Sequence, residues 1–327
     1  MSGSTLAEAG RSRPASLSSR WRRTSIGLPV PRLGRRLSDN QLGLIMLLPA
    51  LIVMLAYVLY PLWTMVTGAF MEQDSLSGPQ HWAGLNNFNG LIFREEFIPS
   101  LGRSVYYTVS NIVTQTVLGF LIALLLHSSL PGRNIARGMI LFPFIVPAVV
   151  AALIWHFLLD DLVGVVNYLL ISGHLVKEPL GWLSSPDDAM NAVVMISVWK
   201  YIPFMIILFL ARLQTVPVEM LEAARVDGAN PFQLLRHIVL PWMAPVIVVA
   251  VMLRTIFSFN EYDIPYLMTQ GGPLDRTLVL PILIRQLLLQ ELQVGPAAAV
   301  SLLMLIVLVA CGLGYWYFYR LGERAFD

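Results

Sequence analysis

EAARVDGANPFQLLRHIVLP, residues Glu222 to Pro241, is a polar stretch set between two long apolar runs. Pro217 suits the start of a helix over VEMLEAARV, with Met220, Leu221, Ala224 and Val226 available for burial and Glu222 and Arg225 for polar contacts. Gly228 can take the left-handed geometry of a helix end. Asn230 followed by Pro231 reads as an N-cap with proline at the first helical position. A second helix is therefore expected through FQLLRHIV until Pro241 ends it and begins the next apolar run. The result is two short helices meeting at an angle, with Ala223, Ala224 and Ala229 keeping the elbow thin enough to enter a partner's groove. An ordinary, well-capped loop is the alternative that these residues alone leave open.

Outward from this hairpin the chain is apolar. Of 327 residues, 56% are hydrophobic and 13% charged, against roughly 45–50% and 25% in soluble domains, and the mean hydropathy is +0.67. These values predict an all-α integral membrane protein. Runs long enough to cross about 30 Å of hydrocarbon at 1.5 Å per residue number six: 41–63, 104–127, 138–159, 191–213, 242–265 and 297–320. Pro49, Pro61, Pro143, Pro147 and Pro203 interrupt them and are expected to kink the helices without ending them, because neighbours in a bundle can satisfy the freed backbone groups. The predicted domains are a basic, Ser/Pro-rich, disordered tail over 1–40, a six-helix region over 41–320 holding the loop 214–241, and a short tail over 321–327. The first tail does not read as a removable secretory signal. Cys311 is the single cysteine, so no disulfide framework exists.

The net charge of +2 is too small to argue for nucleic acid, and it hides an asymmetry. One side of the predicted spans collects the tail's eight arginines with Arg133, Arg137, Arg212, Arg225, Arg236, Arg320 and Arg324, fifteen in all; the other collects five cations, Arg94, Arg103, Lys177, Arg276 and Arg285. By the positive-inside rule both termini and the hairpin face the cytoplasm. The outer loops then carry most of the acidic residues, Glu72, Asp74, Asp160 and Glu291 among them, with Trp82 and Trp182 at the interface.

Ionisable residues at membrane depth cost several kcal/mol unless they face a cavity or a partner, which marks Lys200, Arg254, Glu261 and Asp263. Tyr201, Phe204, Phe257, Phe259 and Tyr262 lie beside them. Aromatic faces stack on sugar rings while carboxylates and hydroxyls take the sugar hydroxyls. Arg254, Phe257, Ser258 and Glu261 fall at three- and four-residue steps on one stripe of the fifth run. The competing reading is a helix-packing stripe with Lys200 and Glu261 reaching the outer interface, or with Lys200 and Arg254 as buried ion-pair partners of Glu261 and Asp263.

The hairpin resembles the EAA loop of the permease subunits of binding-protein-dependent ABC importers at Glu222, Ala223, Ala224, Asp227, Gly228, Ala229, Ile238, Leu240 and Pro241. Leu235, where many relatives carry phenylalanine, is a mild departure that keeps the apolar face. Further stretches resemble the carbohydrate-importing branch, which includes permeases for maltose, trehalose and glycerol phosphate: WAGLNNF (82–88), PFIVPAVVAALIW (143–155) with Gly164 and Asn167, VWKYIPFMIILFLARLQTVP (198–217) and MTQGGP (268–273). Arg103-Ser104 departs from the Asn-Thr with which many relatives begin the second span. The resemblance implies that the hairpin is a coupling helix docking on a dimeric ABC ATPase. It also implies a second homologous permease, an extracytoplasmic solute-binding protein, a carbohydrate substrate, surrounding membrane lipid and a place in a bacterial cytoplasmic (inner) membrane. The maltose permease's sugar-contacting positions, aligned through the loop, fall on Lys200, Tyr201, Phe204, Arg254, Phe257, Ser258 and Glu261. Most residue types there differ, so the location carries over and maltose does not.

The chain has no GxxxxGK[ST] phosphate loop, so ATP and Mg are expected on the partner ATPase and no cofactor, metal or catalytic residue on this chain. An intramembrane enzyme is disfavoured by the lack of HExxH and GxSxG motifs and by the scattered histidines. The alternative is an ion-coupled secondary transporter using Glu261 and Asp263, which leaves the hairpin unexplained.

Overall fold

The computed structural model describes residues 38–73, 78–128 and 131–324, and these are almost wholly helical. The arginines of the predicted basic tail, Asp74 and residues 325–327 lie outside the described residues. The contacts define two units, Met1–Leu55 and Ala56–Asp327. In the first, helix α1 (Asp39–Ala69) begins with a reciprocal cap. Gln41 donates its N–H to Ser38 Oγ (3.4 Å), and Ser38 donates its own to Gln41 Oε1 (3.1 Å), satisfying two of the donors a helix start leaves unpaired.

In the second unit α1 continues through Pro61 to Ala69, followed by an antiparallel pair of strands, β1 (Met71–Gln73) and β2 (Gln80–Trp82), and by α2 (Asn86–Ile92). The WAGLNNF stretch locks this corner. Buried Asn87 donates to the carbonyls of Ala69 (3.0 Å) and Met71 (2.9 Å), and Phe70 stacks on Trp82 with ring centroids 5.7 Å apart. Helix α3 (Phe97–His127), 31 residues long, follows. It starts before Ser104, so that serine caps a different helix: its Oγ accepts the Leu280 N–H at 2.7 Å, at the start of α12 (Leu280–Arg285).

The third apolar run is two helices, α4 (Arg133–Ile145) and α5 (Ala148–Leu158), bent by 98°. Pro147 thus ends a helix where a kink was expected. A proline disfavours helical geometry at the residue before it, and here Val146 is extended at φ −61°, ψ 129°. After α5, the Asp160 carboxylate accepts the N–H groups of Leu162 and Val163, both at 2.9 Å, and these bonds hold its pKa below the ordinary value. Within α6 (Val165–Ser172), Asn167 ties the following loop by bonds to Leu180 and Trp182.

Helix α7 (Ala189–Leu213) is the centre of the unit, with 56% of its most apolar window buried. It packs tightly on α3 at Gly119, where an added Cβ would stand 2.9 Å from Met205 Cβ. One apolar cluster, around Ile196, Ile264 and Leu283, fills the end remote from the hairpin, and a second, around Met205, Phe209, Leu213 and Met243, fills the hairpin end.

Beyond α8 (Val218–Val226), α9 (Pro231–Leu234) passes through a π-helical turn (Leu235–Val239) into α10 (Leu240–Phe259). Pro241 therefore does not end the hairpin's second helix, which forms one apolar span over Pro231–Phe259. A π turn shifts carbonyls away from the ring of a following proline, whose missing N–H and clash with the preceding turn would otherwise break the helix. The chain closes through α11 (Asp263–Thr269), α12 with its π-helical turn (Gln286–Gln290), and α13 (Val294–Arg324). Among the described residues five helices are long and apolar enough to span a membrane, or six if the bent pair counts as one.

Candidate functional site

The hairpin elbow is set by complementary caps. Asp227, Gly228 and Ala229 donate their N–H groups to Ala223, Arg225 and Ala224 at 3.0, 3.0 and 2.9 Å, which closes α8 as a Schellman motif. This demands left-handed geometry at Gly228, observed at φ +85°. Asn230 then opens α9 with a capping box, accepting the Gln233 N–H (2.9 Å) and donating to Gln233 Oε1 (2.8 Å). The expected Asn-Pro start is therefore present. Burial of the α8 apolar face is not: no residue of α8 is buried, and Val226 and Phe232 are 88% and 67% exposed. Ala224, Asp227, Gly228, Ala229 and Ile238 line a shallow notch of about 310 Å³ at the elbow. Glu222 and Ala223 are exposed beside it, Leu240 is exposed, and Pro241 is half-buried at the following turn.

The membrane-depth residues form a polar chain between α3, α7 and α10. Arg254, 4% exposed, donates from Nε to Gln115 Oε1 (2.8 Å) and from Nη2 to Ser258 Oγ (3.1 Å), with its guanidinium 4.7 Å from the Tyr201 ring centroid. Tyr201 donates its hydroxyl to Glu261 Oε1 (3.2 Å), and Gln115 donates to Asn111 Oδ1 (3.0 Å). Lys200, also 4% exposed, donates to the Val146 carbonyl at 2.5 Å, beside the α4–α5 break. Neither cation lies in an ion pair: among the described residues the salt bridges are those of Arg94 with Glu96 and Glu291.

Of the predicted set, the fold thus joins Tyr201, Arg254, Ser258 and Glu261 into one network. Phe257 points elsewhere, 55% exposed, and Phe204 packs against the hairpin-end cluster. Lys200 touches the network only through the Tyr201 ring, 5.2 Å away. The expected stripe thus loses Phe257, although that residue lies within α10, while Glu261, past the end of α10 at Phe259, still joins through Tyr201; Asp263 is exposed on α11. Gln115 and Asn111 were missed. Their signal was available as the four-residue spacing of Tyr107, Asn111 and Gln115, which puts the two amides of the run on one helix face.

Residues 115–325 match the family described as binding-protein-dependent transport system inner membrane component. This chain belongs to that family. The trehalose/maltose transport system permease protein MalF of Thermococcus litoralis is 36% identical over 72% of this chain and 79% of its own length. The sulfoquinovosyl glycerol transport system permease protein SmoG of Agrobacterium fabrum is 32% identical over 82% of this chain and 87% of its own. Among solved structures, a chain of a bacterial ABC transporter involved in import of the acidic polysaccharide alginate superposes with a TM-score of 0.75 at 23% identity, covering 85% of this chain and 95% of that one. The fold is therefore that of a multi-pass ABC permease.

Proposed function

We propose that this chain is one of two homologous permease subunits forming the pathway of an ATP-driven importer for a carbohydrate: a di- or oligosaccharide, a glycoside or a polyol derivative. The hairpin carries this reading. It is capped at both helix ends yet leaves Val226 and Phe232 uncovered, as suits an elbow gripped by a separate dimeric ATPase holding ATP and Mg. The charge asymmetry supports a cytoplasmic hairpin and termini, with an extracytoplasmic binding protein delivering substrate to the opposite face. Relatives named for trehalose, maltose and sulfoquinovosyl glycerol support the sugar class. Within the pathway Tyr201, Ser258 and Glu261 offer a ring face, a hydroxyl and a carboxylate to a sugar, and Phe257, exposed outside their network, offers a second ring face. Arg254 and Lys200, engaged by Gln115, Ser258 and the Val146 carbonyl, hold the walls. Nucleotide-driven closure of the ATPases would draw the two permeases' hairpins together and rock the spans between inward-open and outward-open states.

Gly228→Val in the reconstituted complex tests the reading. A Cβ at Gly228 meets nothing within 4 Å, so the substitution acts by straining a left-handed residue, at about 1–2 kcal/mol, and by thickening the elbow. The expected result is an assembled complex that hydrolyses ATP with sugar uptake largely lost. Uptake equal to wild type would overturn the coupling role.

A further inference from the structure

The hairpin leaves α7 and enters the next span through residues tied to one another. Arg212, in the last turn of α7, donates from Nε to the Trp242 carbonyl (3.1 Å) and lays its guanidinium 4.7 Å from the indole centroid. The Trp242 Nε1–H is donated to Thr215 Oγ1 (3.2 Å), and the Thr215 hydroxyl donates back to the Arg212 carbonyl (2.8 Å). The chain beside each anchor enters the same core, since Leu213 and Met243 are 2% and 0% exposed in one cluster. Farther along the same two helices, Tyr201 on α7 bonds Glu261 and carries the Arg254 guanidinium over its ring. The hairpin's two feet and the polar network are thus joined by a pair of helices pinned at both ends.

We propose that Arg212, Thr215 and Trp242 are positioning residues for coupling: a staple that makes the two feet of the hairpin move as one. A displacement of the elbow then reaches α7 and α10 as a common rigid-body motion. With free feet, it would be absorbed by the residues between Leu213 and Pro217 and by the π turn. Arginine suits this place because one planar fork both donates to the carbonyl and lies over the indole, which an ammonium does not do at once. The inference rests on the hairpin being the ATPase grip.

The test uses the whole complex in lipid vesicles, with both permeases, the ATPase and the binding protein, and reads sugar taken up per ATP hydrolysed. Arg212→Met keeps the stem and removes the fork. It is expected to leave subunit composition and ATPase rate near wild type while the uptake-to-hydrolysis ratio falls at least about fivefold, the low end of ordinary coupling between sites. Trp242→Phe is expected to give an intermediate loss, and the double variant to be no worse than Arg212→Met alone, as residues acting through one contact behave. A merely structural role would lower yield, hydrolysis and uptake together at constant ratio, and that result overturns the proposal, as would additive losses. If Arg212→Met does not assemble, Thr215→Val decides in the same assay, an unchanged ratio again overturning it. Failure of the underlying reading shows separately, as a wild-type complex without binding-protein-dependent uptake.

Discussion

Arg254 is a guanidinium held at membrane depth without a carboxylate in contact. What makes it tolerable is that the protein supplies its own partners: Gln115 accepts from Nε, Ser258 accepts from Nη2, and the Tyr201 ring lies against the guanidinium. Arg254→Met should cost the purified complex roughly 1–3 kcal/mol, because Gln115 is left with an unmet buried acceptor. Arg254→Met with Gln115→Leu should recover part of that loss, since replacing both partners of a buried pair is far cheaper than removing one. Thermal unfolding of the single and double variants checks this, and simple additivity would refute the pairing. At this scale the sequence marks Arg254 and Lys200 through the cost of charge in hydrocarbon. It is silent on their acceptors, because Gln115 lies 139 positions from Arg254 and Val146 lies 54 from Lys200.

Among the elements, the caps of the hairpin were legible because they depend on neighbours in the chain: Asn230, Pro231 and Gly228 do what their types dictate locally. The break between α4 and α5 was not, since the same residue type gives opposite results elsewhere. Pro203 sits inside the unbroken α7 and Pro147 ends a helix. The Val146 carbonyl at this break is met by Lys200 from another helix. Helix contacts were equally hidden. Gly119 brings α3 against α7, and Gly119→Val would place carbon within 2.9 Å of Met205 Cβ. Overpacking of this kind costs about 1–3 kcal/mol. A lowered thermal midpoint of the complex is expected, with partial recovery when Met205→Ala is added; an unshifted midpoint would show that the helices separate freely.

For the whole molecule the decisive comparison is between energy sources. If the chain is driven from the hairpin by a separate ATPase, chelating Mg on the nucleotide side should abolish uptake by the complex. An uncoupler that collapses the proton gradient should leave initial uptake by ATP-loaded vesicles within about twofold, because ATP binding to the partner supplies the differential stabilisation of the two states. Uptake that survives chelation and collapses with the gradient would instead favour an ion-coupled carrier using Glu261 and Asp263.

The helical membrane class, the approximate positions of the apolar runs and the hairpin's two caps were legible from the order of the amino acids. Each of these depends on hydrophobic length or on hydrogen bonds spanning a few residues, which neighbouring side chains settle. The tertiary structure alone decided that the third run is bent by 98°, that Lys200 and Arg254 are bound by the protein's own acceptors, and that Arg212 ties the feet of the hairpin through Trp242. Those outcomes depend on which distant groups meet once the spans pack. A polar group in hydrocarbon takes whichever partner the fold brings within about 3 Å.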